Sequence, residues 1–360
     1  MATDLVCADC GRAYEAGPGE PWRCECGHPL DFAERPLPDG PPKRPALDRG
    51  LWAFGDFLPV EPRVTLGEGW TPLADAPAWD ATFKLEYVFP SGSFKDRGAT
   101  TTLSRAAELG VERVVEDSSG NAGAAIAQYA ARAGIAAEIY VPAGVKETKL
   151  RAIERAGATP VRVEGTRQDV TDACVAAVED GDAWYASHAW NPAFFAGTAT
   201  VAFEIAAQRD WSVPDALVLP VGHGTLFLGA YRGFAALRDA GWTDRLPRLL
   251  GVQATGVAPL VAARGGDPGS TTNDAADGIQ ISDPVRDDQI LAAIQATDGD
   301  VVAVDGAATE SALDALHRRG FYVEPTSAVA VAGLEAYREA GVLEKGADVL
   351  VALTGSGLKS

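Results

Sequence analysis

Lysine is scarce in this chain, with seven among 360 residues, and methionine occurs once. Lys plus Arg total 31 against 50 Asp plus Glu, a formal charge of -19. Such a surface repels phosphate backbones and anionic membranes, so neither nucleic acid nor a membrane is an expected partner. Long apolar runs are missing too. No stretch of about 18 uncharged apolar residues occurs, which excludes a membrane-spanning helix. Residues 1–31 lack the basic-then-apolar pattern of an export signal, so a soluble, cytoplasmic protein is expected. An acidic, lysine-poor, alanine-rich composition resembles proteins of salt-loving archaea, whose carboxylates keep the surface hydrated; an ordinary acidic protein is the alternative. With 47% hydrophobic residues the chain can bury the cores of two domains.

Cysteine is sparse but unevenly placed. Four of the five fall in the first 26 residues, as CADC (Cys7, Cys10) and CEC (Cys24, Cys26). Two close pairs separated by a hairpin-length segment suit tetrahedral thiolate coordination of a structural zinc, because the metal staples a piece too small for its own core. Gly11 and Gly27 give each turn the freedom it needs, and His28 could replace one cysteine. A pair of disulfides is the alternative, disfavoured in an unexported chain. Cys174 falls on a helical pattern and is expected to be simply buried.

Residues 35–50, RPLPDGPPKRPALDRG, read as a Pro/Gly-rich linker that no helix should cross. Beyond it, short apolar runs alternate with helical patterns: RVVEDSS, AAEIYVPA and TPVRVEG as strands with helices between and after them, then DALVLPVG, RLLGVQA and DVLVALTG with theirs. This alternation predicts an α/β fold of two open, mostly parallel units, with ligands at the carboxyl ends of the strands.

Three glycine-containing turns follow predicted strands: SSGNAG (118–123), PVGHGTLFLG (220–229) and LTGSGLK (353–359). The first two open helices, whose free N–H groups suit a carboxylate or a phosphate. A fourth turn, PSGSFKDRGA (90–99), presents Lys95 in a tight, sterically open setting.

KLEYVFPSGSFKDRGA, SSGNAGAAIAQYAARAGI and TGSGLK, together with EGWTPL (68–73) and the cysteine cluster, resemble the pyridoxal-phosphate enzymes of the tryptophan synthase β fold type, and within them the threonine synthase-like branch. The resemblance implies a cofactor cleft between the two α/β domains, a larger one at 63–95 plus 206–360 and a smaller one at 96–205. These are preceded by a zinc-ribbon-like segment at 1–34 and a linker at 35–62. It implies that Lys95 bonds covalently to the cofactor aldehyde, that Asn121 bonds its phenolic oxygen, and that Ser119, Gly120 and Ala122 help hold the substrate carboxylate. Gly222, His223, Gly224 and Thr225 should hold the cofactor phosphate, and Thr354 should face the pyridine nitrogen. A small amino acid is the expected substrate, and the sequence leaves the oligomeric state open, with a homodimer among the options.

The residue types suit that chemistry. A lysine amine in an apolar cleft can take a substrate α-proton, and a neutral hydroxyl opposite the ring nitrogen favours elimination over transamination. Asp96 and Arg97 are expected to pair structurally beneath the lysine turn. The pattern departs at NPAFFAG (191–197). Phe194 and Ala196 replace an arginine and a glutamate of the family, which puts an apolar wall where a substrate-phosphate clamp is expected. Lys149 and Arg97 are the cations that could compensate. A serine or threonine dehydratase-type ammonia-lyase or a β-replacement synthase therefore stands beside threonine synthase, with a non-catalytic zinc-ribbon scaffold as a remote alternative.

Overall fold

The computed structural model describes residues 2–42, 45–181 and 183–359. The chain forms two compact units: one from Met1–Pro38, Arg44–Gly69 and Lys95–Thr198, the other from Asp39–Lys43, Trp70–Phe94 and Ala199–Ser360.

The first unit is built on a four-stranded parallel sheet in the order Thr159–Val163, Ala136–Pro142, Arg113–Glu116, Trp184–Tyr185. Crossover helices Asn121–Ala133, Glu147–Arg155 and Arg167–Glu179 connect its strands. Local sequence explains their limits. Gly134 ends the first of these helices in a left-handed conformation, with φ +70°. Thr166 and Asp169 form a capping box at the start of the third, each side chain accepting from the other's backbone N–H. Before this sheet, Leu5–Cys7 pairs antiparallel with both Ala13–Tyr14 and Leu30–Phe32.

The second unit carries a six-stranded sheet in the order Asp300–Val304, Arg248–Ala254, Ala216–Pro220, Val349–Ala352, Ala81–Lys84, Leu73–Ala76. Only its last pair is antiparallel. Residues of the central strands are buried on both faces, which is why they read as continuous apolar runs rather than alternating ones.

Two long helices escape the periodicity argument. Lys95–Leu109 is buried from Asp96 through Ala106, and Pro192–Gln208 is buried along most of its length. A helix covered on all sides has no polar stripe to mark its period. Two threonines of the first helix bond to distant segments: Thr101 Oγ1 donates to Ala193 O at 2.7 Å, and Thr100 Oγ1 to Val64 O at 2.6 Å. The linker reading is corrected at its end. A run of 3-10 turns, Leu47–Phe57, starts inside 35–50 and is broken at Gly50 and Phe54, because Leu51, Trp52 and Phe54 have apolar surface to bury.

Candidate active site

Lys95 is half-buried and opens its helix. The turn before it is zipped to the C-terminal motif. Phe94 N–H donates to Thr354 O at 3.0 Å and Ser356 N–H to Gly92 O at 2.9 Å, with a bridge between Ser93 and Gly355. Thr354, 3% exposed, is therefore held against Phe94 by a backbone hydrogen bond within the second unit. Its Oγ1 lies 3.1 Å from Ser327 Oγ, which also accepts from Gly355 N–H at 2.7 Å. A side chain at Gly355 would strike the Glu324 carboxylate, 2.2 Å from an ideal Cβ. Ser327 and Glu324 were missed from sequence, because EPTS reads as an ordinary helix start.

In the first unit, the strand Arg113–Glu116 runs into the loop with Ser118, Ser119 and Gly120, and the helix opens at Asn121. The loop folds back tightly. Gly120 N–H donates to Ser118 Oγ at 3.3 Å, and a Cβ at Gly123 would lie 1.8 Å from the Ser118 carbonyl. No side chain caps this helix, so its first N–H groups suit an anionic ligand.

The same arrangement recurs in the second unit after Ala216–Pro220. Gly222 and Gly224 flank His223, and helix Thr225–Asp239 starts from Gly224 at φ +71°. A Cβ at Gly224 would lie 2.3 Å from Ile290 Cδ1, and one at Gly222 would lie 3.2 Å from Ile279 Cα. Glycine here serves both close approach and a left-handed turn.

Phe194 corrects the sequence reading. Its side chain is fully buried in the first unit's core and gives no face to a ligand. The ring instead packs on Gly98, where an added Cβ would sit 2.2 Å from Phe194 Cδ1. Gly98→Ala should therefore cost about 1–3 kcal/mol by overpacking. Thermal unfolding checks this, and a transition unchanged from wild type would refute the packing argument. Arg97 is likewise fully buried, whereas Lys149 is half-buried on Glu147–Arg155.

The four clustered cysteines are unbonded. Cys7 and Cys26 sulfurs lie 3.6 Å apart, Cys10 and Cys24 sulfurs 3.4 Å, and all four fall within 4.8 Å of one another. Tetrahedral Zn–S bonds of about 2.3 Å place sulfurs about 3.8 Å apart, so the donor set fits zinc, whereas a disulfide needs about 2.05 Å. His28 Nδ1 stands 3.5 Å from Cys26 Sγ. Gly11 and Gly27 take φ +73° and +91°, and their N–H groups bond back to Cys7 O and Cys24 O. Cys174 is fully buried, and burial pushes its thiol up, away from reactivity.

Comparison with known proteins decides the family. The model of the family described as pyridoxal-phosphate dependent enzyme matches residues 64–355. The chain belongs to this family. It is 33% identical to the threonine synthase of Methanocaldococcus jannaschii over 374 residues, covering 98% of this chain and 92% of that one. With the threonine synthase of Methanosarcina acetivorans it shares 37% over 324 residues, 86% of this chain and 80% of that one. Its fold is similar to maize serine racemase, with TM-score 0.69, 22% identity and coverage of 80% and 88%. It is also similar to threonine deaminase isoform 2 of Solanum lycopersicum, with TM-score 0.67, 23% identity and coverage of 80% and 79%.

The residues present fit the cofactor of this pyridoxal-phosphate family. The first unit supplies a half-buried amine, Lys95, and the amide of Asn121 at an uncapped helix start. The second supplies a glycine cradle at a helix N-terminus, where Cβ atoms would intrude, and the hydroxyl of Thr354.

Proposed function

We propose that the protein is a threonine synthase-like lyase, eliminating phosphate from O-phosphohomoserine and adding water to give threonine. The observation that carries this reading is the 33–37% identity to threonine synthases over 86–98% of the chain. Bound pyridoxal phosphate supplies an electron sink that makes the substrate α-proton removable and the distal group a leaving group. Lys95 anchors the cofactor, takes the α-proton and returns it. The N–H groups opening Asn121–Ala133 hold the substrate carboxylate with Ser119, Gly120 and Ala122, while Asn121 fixes the ring oxygen. Gly222, His223, Gly224 and Thr225 hold the cofactor phosphate. Thr354, kept in place by Ser327, meets the ring nitrogen with a neutral hydroxyl. In this reading 63–95 plus 206–360 is the cofactor-binding domain and 96–205 the substrate side. Lys149 is the cation left to meet the distal phosphate, since Arg97 has no exposed surface.

Assay of the purified protein against O-phosphohomoserine, threonine and serine tests the reading. Threonine and inorganic phosphate should form in equal amounts from the first. Ammonia release from serine or threonine, with O-phosphohomoserine untouched, would replace it by the ammonia-lyase reading.

The proposal extends to a structural zinc on Cys7, Cys10, Cys24 and Cys26, and to a cytoplasmic, homodimeric enzyme of a salt-rich interior. Metal analysis should find one zinc per chain. Chelation should speed hydrogen exchange across residues 5–32 and leave the cofactor bound, because four protein thiolates leave no open coordination position. Protein isolated without chelator and free of zinc would refute this.

A further inference from the structure

The carboxyl of Glu116 takes no part in the proposed chemistry, yet it is fully buried and its charge is felt at Lys95. Glu116 ends the strand Arg113–Glu116, just ahead of the loop with Ser118 and Ser119. Its side chain is 0% exposed and that of His188 is 7% exposed. Glu116 Oε1 lies 2.6 Å from His188 Nδ1, and Oε2 accepts from the His188 backbone N–H at 3.3 Å. Both carboxyl oxygens are thus engaged by one residue. The His188 ring stands edge-on to Phe194, with centroids 6.1 Å apart, and Phe194 packs on Gly98, one turn into the helix that Lys95 opens.

A contact of 2.6 Å between an imidazole nitrogen and a carboxyl oxygen holds a hydrogen between them. Together the two groups carry a net charge of zero or of minus one, according to their protons, and they titrate as a pair. Away from water that unit of charge reaches its neighbours with little screening. The charges of Asp117, Lys95 and Arg167 act on Glu116, and Glu116 acts in turn on Cys174 and Tyr185. Burial is the largest influence pushing the carboxyl up, followed by Asp117, while the His188 N–H, Lys95 and Arg167 oppose it. Coulomb interaction is mutual, so the charge on Glu116 acts on Lys95 as Lys95 acts on it.

We propose that Glu116 and His188 form a positioning pair whose charge sets the proton affinity of Lys95. The lysine must gain and lose a proton in each turnover. A buried partner that changes its own charge by one unit keeps both states of the amine within reach. The inference rests on Lys95 being the cofactor anchor.

The test is the absorbance of bound pyridoxal phosphate against pH, without substrate, in wild type, Glu116→Gln, Glu116→Asp and Lys95→Ala. Glu116→Gln should lower the pH midpoint of the lysine-linked band by about one unit, a tenfold loss of proton affinity, and Glu116→Asp should restore most of it. A merely structural role would change cofactor affinity or melting temperature without moving the midpoint. Loss of the band in Lys95→Ala with a wild-type midpoint in Glu116→Gln overturns the pair alone. Survival of the band in Lys95→Ala overturns the anchor reading, and this inference with it. If Glu116→Gln does not fold, His188→Gln decides: it keeps a hydrogen bond to Glu116 but cannot carry the imidazolium charge, so the midpoint should rise, and an unmoved midpoint overturns the proposal.

Discussion

Lys95→Ala should fold as wild type does and lose turnover by at least about a thousandfold, within the range that a positioned acid-base group contributes. The loss should approach completeness, because the same amine is proposed to hold the cofactor and to move the proton. The fold should survive for an electrostatic reason. Lys95 is the first residue of Lys95–Leu109, where a cation opposes the helix dipole, so removing it relieves a small penalty. The turn before it is held by backbone bonds from Phe94 to Thr354 and from Ser356 to Gly92, none of which uses the lysine side chain. Borohydride reduction of the wild type, followed by peptide mapping, should place the label on Lys95. Label on another lysine, or near-normal turnover of Lys95→Ala, would remove the amine from the chemistry.

The sequence made strands and cradles legible because backbone geometry dictates their residues. Gly224 needs a left-handed φ and space against Ile290, so the glycine loop after LVLP could be read without coordinates. The cysteine pairs were legible for the same reason, with Gly11 and Gly27 closing each turn. Phe194 was not. Its position in NPAFFAG pointed to a substrate wall, but the nearest surface to fill was the gap above Gly98, and only tertiary packing reveals that. His188 was invisible for a related reason. A lone histidine in SHAWNP does not reveal its acid partner, because Glu116 lies 72 residues away. Ser327 and Glu324 were similarly hidden, since EPTSA reads as an ordinary helix start until the C-terminal TGSG folds back on it. Local conformational demands are written in local residues, whereas long-range pairs are not.

Lys84→Ala should be the most destabilising single substitution in the second unit, at about 3–5 kcal/mol, because it strips a buried charge pair of one partner. Lys84 and Glu204 side chains are both 0% exposed and meet at 2.9 Å. The ammonium also donates to Thr71 O at 2.7 Å and to Gln208 Oε1 at 2.8 Å, which uses all three of its hydrogens. Without it, the buried Glu204 carboxylate, which also accepts from the Thr71 N–H at 3.2 Å, loses the ammonium that neutralises its charge. At about 2–4 °C per kcal/mol for a unit of 150–250 residues, the melting temperature should fall by about 6–20 °C. The effect should reach the site, because Leu353 N–H bonds to Lys84 O at 3.0 Å and Thr354 follows directly. Cofactor affinity should therefore fall along with stability. Lys84→Met combined with Glu204→Leu should cost less than Lys84→Ala alone, since it removes the stranded charge instead of exposing its cost. Salt separates this pair from the acidic surface. Repulsion among exposed carboxylates weakens as ionic strength rises, whereas a pair with no solvent contact is screened little. The melting-temperature deficit of Lys84→Ala should thus persist in concentrated salt even as both proteins gain stability, and a deficit that vanishes there would show that water reaches Glu204.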